Sequence, residues 1–313
     1  MISLILLNKI VQLFLVMLAA FILVKAGVLK AEDSKVLSLL LAWVICPCVI
    51  ANAFQLDCTP EKFHDMLVII LIFALTYGTG FIVIKLLKVP LRLNNIEQAS
   101  IMYSNCGNLV IPLVNAILGE DWTLYIMTYN VLATILLWSH ARMLVSGETA
   151  FSVGKIVKNI NIIVSVGAFL MFAAGIHFPQ IIQDTLSMVS GMIGPVSMLI
   201  VGMLIGGADI KKIFSSMGIW KTLAMRLIGF PLLMMVIIRL LNIRSLSANA
   251  NGLIIIGLLC ASAPSGTTLV QQTQIYGKDR AKAEYAGAIN MASTMLCMIT
   301  MPIMLAVYQL FFA

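Results

Sequence analysis

Ser104-Asn105-Cys106-Gly107-Asn108-Leu109-Val110-Ile111-Pro112 lies in the middle of a hydrophobic run from Gln98 to Leu118, and its reading decides the fold. About 150 residues later a second polar interruption, Ala261-Ser262-Ala263-Pro264-Ser265-Gly266-Thr267-Thr268, stands in the run from Gly252 to Ile275. Each run is long enough to cross a bilayer. A proline lacks a backbone donor and pushes the preceding residue out of the helical region, so Pro112 and Pro264 are predicted to open both helices in mid-span. Backbone groups freed at that depth are tolerated only against protein or a water-filled cavity. Two such interruptions in corresponding halves of a membrane protein point to a transporter's binding site.

The composition agrees. The 313 residues are 61% hydrophobic and only 11% charged, with mean hydropathy +1.04, which places the chain among polytopic membrane proteins rather than soluble domains. The formal charge of +7 does not indicate nucleic acid, because the basic residues are scattered between apolar spans and read as loop charge that holds membrane orientation. Of six cysteines, Cys46, Cys48, Cys106, Cys260 and Cys297 lie inside apolar runs and Cys58 near a loop, so no disulfide framework or metal-ligand spacing appears. The run up to Val24 is too long for the apolar region of a signal peptide and reads as a retained first span.

Ten apolar runs of about 20 residues follow one another. They are Ile2 to Val24, Val36 to Leu56, Met66 to Leu87, Gln98 to Leu118, Trp122 to Leu144, Ile160 to Ile176, Ile181 to Gly206, Ile219 to Leu241, Gly252 to Ile275 and Ala283 to Phe312. The loops after odd-numbered spans hold three basic residues each: Lys25, Lys30, Lys35; Lys85, Lys88, Arg92; Arg142, Lys155, Lys158; Lys211, Lys212, Lys221; Lys278, Arg280, Lys282. The other side has only Lys9, Lys62, Arg239 and Arg244, so the positive-inside rule puts both termini outside. Five spans per half is an odd number, so repeated halves must be inverted with respect to each other. The halves repeat a proline spacing: Pro47 in span two is followed by Pro112 in span four, and Pro195 in span seven by Pro264 in span nine, 65 and 69 residues apart. The fold class is therefore an all-α polytopic membrane protein with ten transmembrane helices, an inverted five-plus-five repeat and two broken, crossing helices, spans four and nine. Residues 1–144 form the first repeat, 145–159 a short cytoplasmic linker and 160–313 the second repeat.

Two half-helices are predicted to begin after Pro112 and after Pro264, with free N–H groups and positive dipole ends turned to the crossing, an arrangement suited to anions. Asn105 and Asn108, with Ser262, Ser265, Thr267 and Thr268, add neutral groups that orient a carboxylate without burying a fixed charge. Asn52, Asn130 and Asn290 are lone amides in apolar surroundings, and Gln271 and Gln272 follow the second break. Interhelical hydrogen bonding accounts for any one of them, but Asn130 stands at mid-depth in the span after the first broken helix and joins the site. Tyr125 and Tyr129 suit either packing or a site wall. Arg226 reads as an arginine snorkelling to the cytoplasmic surface, with a charge that attracts substrate or pairs in a gate as the alternative. All thirteen acidic residues fall in loops or at span ends, leaving no mid-membrane carboxylate to carry a proton or neutralise sodium. Coupling to H+ or Na+, if used, would fall to carbonyls, amides or an edge acid such as Asp65 or Glu284. Gly202-x-x-x-Gly206 allows a close helix contact, within one chain or between two. His64, His140 and His177 are far apart in sequence, and no hydrolase, zinc or phosphate-loop signature is present.

The segment Asn105-Cys106-Gly107-Asn108-Leu109-Val110-Ile111-Pro112-Leu113 resembles the Asn-x-Gly-x-x-Gly-x-Pro-Leu segment of the auxin efflux carrier family. Leu109 and Val110 stand where a second glycine is usual. Ala263-Pro264-Ser265, the stretch Gln271 to Gly277, the closing span and Gly194-Pro195 are similar too, so the resemblance covers essentially the whole chain. It implies scaffold helices one, two, six and seven (about 1–56 and 160–208) and a mobile bundle of spans three to five and eight to ten (about 62–144 and 219–313). It further implies elevator-type alternating access, a homodimer joined through the scaffold, and no cofactor. The short central segment looks like that of the microbial members, described as malate, malonate or lactate permeases, and so like a protein of the bacterial inner membrane. The expected substrate is a small organic anion bound by Asn105, Gly107, Asn108, Pro112, Asn130, Ser262, Pro264, Ser265, Gly266 and Thr267, with Asn52 nearby. A cation-coupled carrier or sensor-like protein for a neutral solute is the alternative.

Overall fold

The computed structural model describes residues 2–147, 160–208, 214, 216–277 and 280–311. Most of the central linker, with Lys155 and Lys158, and the loop residues Lys211, Lys212, Lys278 and Asp279 lie outside the described residues. Among the described residues, twelve helices, apart from short 3-10 turns, fall in the predicted segments. They are α1 (Ile2–Lys25), α2 (Ala31–Ala53), α3 (Pro60–Leu87), α4 (Asn95–Met102), α5 (Cys106–Leu118), α6 (123–146), α7 (Ile160–Ala173), α8 (Gln180–Gly206), α9 (Met217–Leu240), α10 (Ala250–Ser262), α11 (Thr267–Tyr276) and α12 (Arg280–Phe311). Among the described residues, six helices are long and apolar enough to cross a membrane: α2, α3, α8, α9 and most of α1 and α12. Three shorter apolar helices, α5, α7 and α10, accompany them. Large apolar side chains such as Leu15, Trp43, Ile82 and Leu170 point outward, a surface suited to lipid rather than water. The chain is an all-helical, polytopic integral membrane protein.

The prolines act differently from the sequence expectation. Pro47, Pro112 and Pro231 each follow a π-turn, Leu41–Ile45, Cys106–Val110 and Met225–Gly229, at the second residue of the next α-helical stretch. A π-turn bonds i to i+5, which widens the helix where a proline ring would strike the carbonyl one turn back and leave it without a donor. Pro112 therefore sits inside α5 and does not open it. The interruption lies at residues 103–105, and the half-helix begins at Cys106.

The chain's contacts divide into two units. In the first (1–64, 107–131 and 153–208), α1 and α8 lie against each other along glycines. A Cβ on Gly202 would meet the Met17 carbonyl oxygen at 2.1 Å, one on Gly206 the Val24 Cβ at 2.8 Å, and one on Gly207 the Ala31 Cβ at 2.5 Å. The Gly202-x-x-x-Gly206 pattern thus serves a contact within the chain. α5 packs on α1 and α8, with Pro112 Cβ 3.1 Å from where a Cβ on Gly194 would stand. Thr123 Oγ1 donates to Asn115 Oδ1 at 2.7 Å, tying α6 to α5.

In the second unit (65–106, 132–152 and 209–313), buried acids hold helix ends. Asp65 accepts hydrogen bonds from Ser247 Oγ (2.5 Å) and Asn249 Nδ2 (2.8 Å) just before α10 begins. Glu97 and Asn94 form a capping box at the start of α4, and Glu97 Oε1 also accepts from the Tyr285 hydroxyl at 2.7 Å. A Cβ on Gly218 would lie 2.3 Å from both Glu97 Oε1 and Tyr285 Oη. Gly218→Ala is therefore expected to break this part-buried bond and destabilise the protein by about 1 kcal/mol. The check is thermal unfolding in a double-mutant cycle with Tyr285→Phe, where the two losses should not add.

Candidate functional site

Both predicted breaks are present in the second unit, and they pair. α4 ends at Met102 and α10 at Ser262, and between each and the next half-helix the chain is extended. Ser104 and Ser265 form an antiparallel bridge, in which Asn105 N donates to Pro264 O (2.8 Å) and Gly266 N donates to Tyr103 O (2.9 Å). The physical reason is accounting: backbone groups that leave a helix in an apolar interior must find partners, and each break supplies the other's. The strand-like segments approach closely at Gly266, where a Cβ would sit 3.3 Å from Ser104 O and 3.5 Å from Tyr103 O. The segment is fully enclosed, with Asn105 5% exposed and Ser262 and Ser265 1% each.

α12 supports the second break. Asn290 Nδ2 donates to Ser265 O at 2.5 Å, and Ser265 N donates to Ser293 Oγ at 3.1 Å, so both main-chain polar atoms of Ser265 are held by one helix face. Gln272 Nε2 donates to Leu137 O, linking α11 to α6. Three buried polar atoms close to the second break in sequence, Ser262 Oγ, Ser265 Oγ and Gln272 Oε1, make no hydrogen bond among the described residues. A buried polar atom left without a partner is destabilising by about 1–3 kcal/mol, which makes these three candidates for contact with a guest molecule.

In the first unit, Gly107 and Asn130 come together: a Cβ on Gly107 would stand 3.0 Å from Asn130 Oδ1. Asn130 therefore reaches the first turn of α5. Asn108, one residue further along that turn, is half-buried. Asn52 instead stands in the last turn of α2, which packs on α7 and α8.

Two residues gain roles that sequence reasoning missed. Arg226 does not snorkel: it is 1% exposed, and its guanidinium donates to three main-chain carbonyls, Ala263 O (2.8 Å), Ile101 O (2.8 Å) and Cys260 O (2.9 Å). Its place two turns into a span suggested an edge position, and only the packing of α9 against α4 and α10 shows otherwise. His140 lies beside the first break, with Nδ1 2.8 Å from the hydroxyl of fully buried Tyr103 and the Phe81 ring edge-on to its own. Nothing in the spacing of Tyr103 and His140 could have signalled this pair, because it is made between the first break and α6.

The sequence model of a protein family described as "membrane transport protein" matches residues 5–154 and 149–305. The two matches together cover nearly the whole chain and meet at the central linker. No curated protein matches the chain.

Proposed function

Because the chain belongs to the auxin efflux carrier family of membrane transport proteins, we propose that it is a carrier for a small organic anion, a mono- or dicarboxylate, held at the two helix breaks. The observation that carries this reading is the antiparallel pairing of Ser104 with Ser265, which joins the two polar interruptions of an otherwise apolar chain. Asn105, Pro264, Ser265 and Gly266 belong to the paired segments, and Ser262 and Thr267 flank the second of them. In the first unit, Gly107, Asn108 and Asn130 at the first turn of α5 are read as further anion contacts that supply amides and a helix N-terminus. Neutral donors and dipole ends favour an anionic guest. Pro112 contributes by its contact at Gly194 rather than by facing the substrate.

In this reading the ten segments are ten spans with spans four and nine crossing at the breaks. They form an inverted repeat in the inner membrane of a bacterium, with both termini outside. Alternating access is elevator-like. The protein works as a homodimer. Purified protein in liposomes is expected to take up radiolabelled malate, malonate or lactate saturably and with counterflow. Asn108→Ala should lower that flux at least about tenfold, the loss of one aligned polar contact at a site that must close around charge. Absence of flux for all three acids, or an Asn108→Ala carrier as fast as the parent, would refute the reading. Repeating the assay with and without Na+ and at two pH values identifies the coupling ion.

A further inference from the structure

Among the described residues, Arg226 is the largest side chain that is buried completely. Its three acceptors are not arbitrary carbonyls. In an uninterrupted helix the oxygen of residue i bonds the N–H of residue i+4. Ile101 O would take the N–H of Asn105, which donates to Pro264 O instead. Cys260 O would take the N–H of residue 264, a proline, which has none. Ala263 O follows α10 as the chain turns out of the helix, and is also left to Arg226. All three oxygens lie at the C-terminal ends of α4 and α10, where the helix dipole concentrates negative partial charge. Nε, Nη1 and Nη2 each donate to a different one of them, so a planar cation is ligated by carbonyls of both broken helices at once.

We propose that the carbonyls of Ile101, Cys260 and Ala263 form a cation cage and that Arg226 is its built-in cation, a positioning residue that holds both breaks open and paired. Other cages of this kind hold a mobile ion whose occupancy changes. Here the charge is tethered to α9, so the breaks stay in register without an ion from solution filling this cage. The inference rests on the geometry of the breaks and not on the substrate.

The test is chemical replacement of the missing charge. Thermal unfolding of purified Arg226→Ala is followed with about 20 mM guanidinium chloride, urea or sodium chloride, probes that separate a planar cation from its neutral analogue and from ionic strength. The midpoint should fall by at least about 5 °C in the variant, and guanidinium alone should restore at least about 2 °C of it, while leaving the parent unchanged. Guanidinium performing no better than urea or sodium chloride overturns the proposal. Arg226→Lys and Arg226→Met decide the matter if the alanine variant does not fold. Lysine keeps the charge and should unfold well above methionine, and equal midpoints overturn the proposal. No transport is measured, so a negative result here leaves the carrier reading standing, and failure of the flux assay leaves this one standing.

Discussion

Gly202→Leu is expected to prevent accumulation of folded protein, and even Gly202→Ala to lower the unfolding midpoint severely. The first atom added to Gly202 arrives 2.1 Å from the Met17 carbonyl oxygen and 2.9 Å from the Ala20 Cβ. Neither can yield, since one is main chain inside α1 and the other a methyl fixed directly to it. The helices must therefore part. Parting would also open the contacts about one turn on, at Gly206 against Val24 and at Gly207 against Ala31. Overpacking of a close-packed interior is destabilising by about 1–3 kcal/mol when side chains can shift, and by more when backbone must. In a membrane, where no hydrophobic drive returns separated helices, van der Waals fit is much of what holds them. Gly191 is the internal control, because its nearest neighbour would lie 3.5 Å from an added Cβ and Gly191→Ala should be tolerated. Detergent-solubilised yield and thermal unfolding provide the comparison. Equal behaviour of the Gly202 and Gly191 variants would show that α1 and α8 do not meet at Gly202.

The second large effect is expected at Asn290→Leu. The substitution keeps the branched four-atom outline of the side chain but removes the donor to Ser265 O, leaving a main-chain oxygen unpaired in a site 1% exposed. That is destabilising by about 1–3 kcal/mol. The consequence for transport should exceed the consequence for folding. Ser265 is the residue through which the second break bridges Ser104, and Asn290 with Ser293 fixes both its polar backbone atoms. With one of the two supports gone, the pairing of the breaks loosens, and flux of radiolabelled malate should fall at least about tenfold while the protein remains folded. Ser293→Ala, which removes the acceptor for Ser265 N, should act in the same direction. An Asn290→Leu carrier with parental flux would separate Ser265 from the transport site.

Much of this was legible in the chain itself. Polar residues inside apolar runs are expensive in lipid, so Asn105, Ser262 and Ser265 announced that something non-helical happens there. Asn130 was legible for the same reason, and it does reach Gly107. Pro112 misled, because a proline's effect depends on whether the helix before it can widen, and the π-turn at Cys106–Val110 does so. Asn52 lies in the last turn of α2. Gly202 and Gly206 marked a close contact but not its partner, and Arg226 looked like a surface residue by its place near the end of a span.

The sequence by itself determined that this is a helical membrane protein with two polar breaks, because hydrophobic length and backbone satisfaction are properties of each segment alone. The tertiary structure decided what the breaks do with their freed groups: Ser104 and Ser265 pair, Asn290 and Ser293 brace that pair, and Arg226 collects the orphaned carbonyls. Those partners come from helices far apart in the chain. Which donor meets which acceptor is fixed only when the helices pack, and no local pattern carries that information.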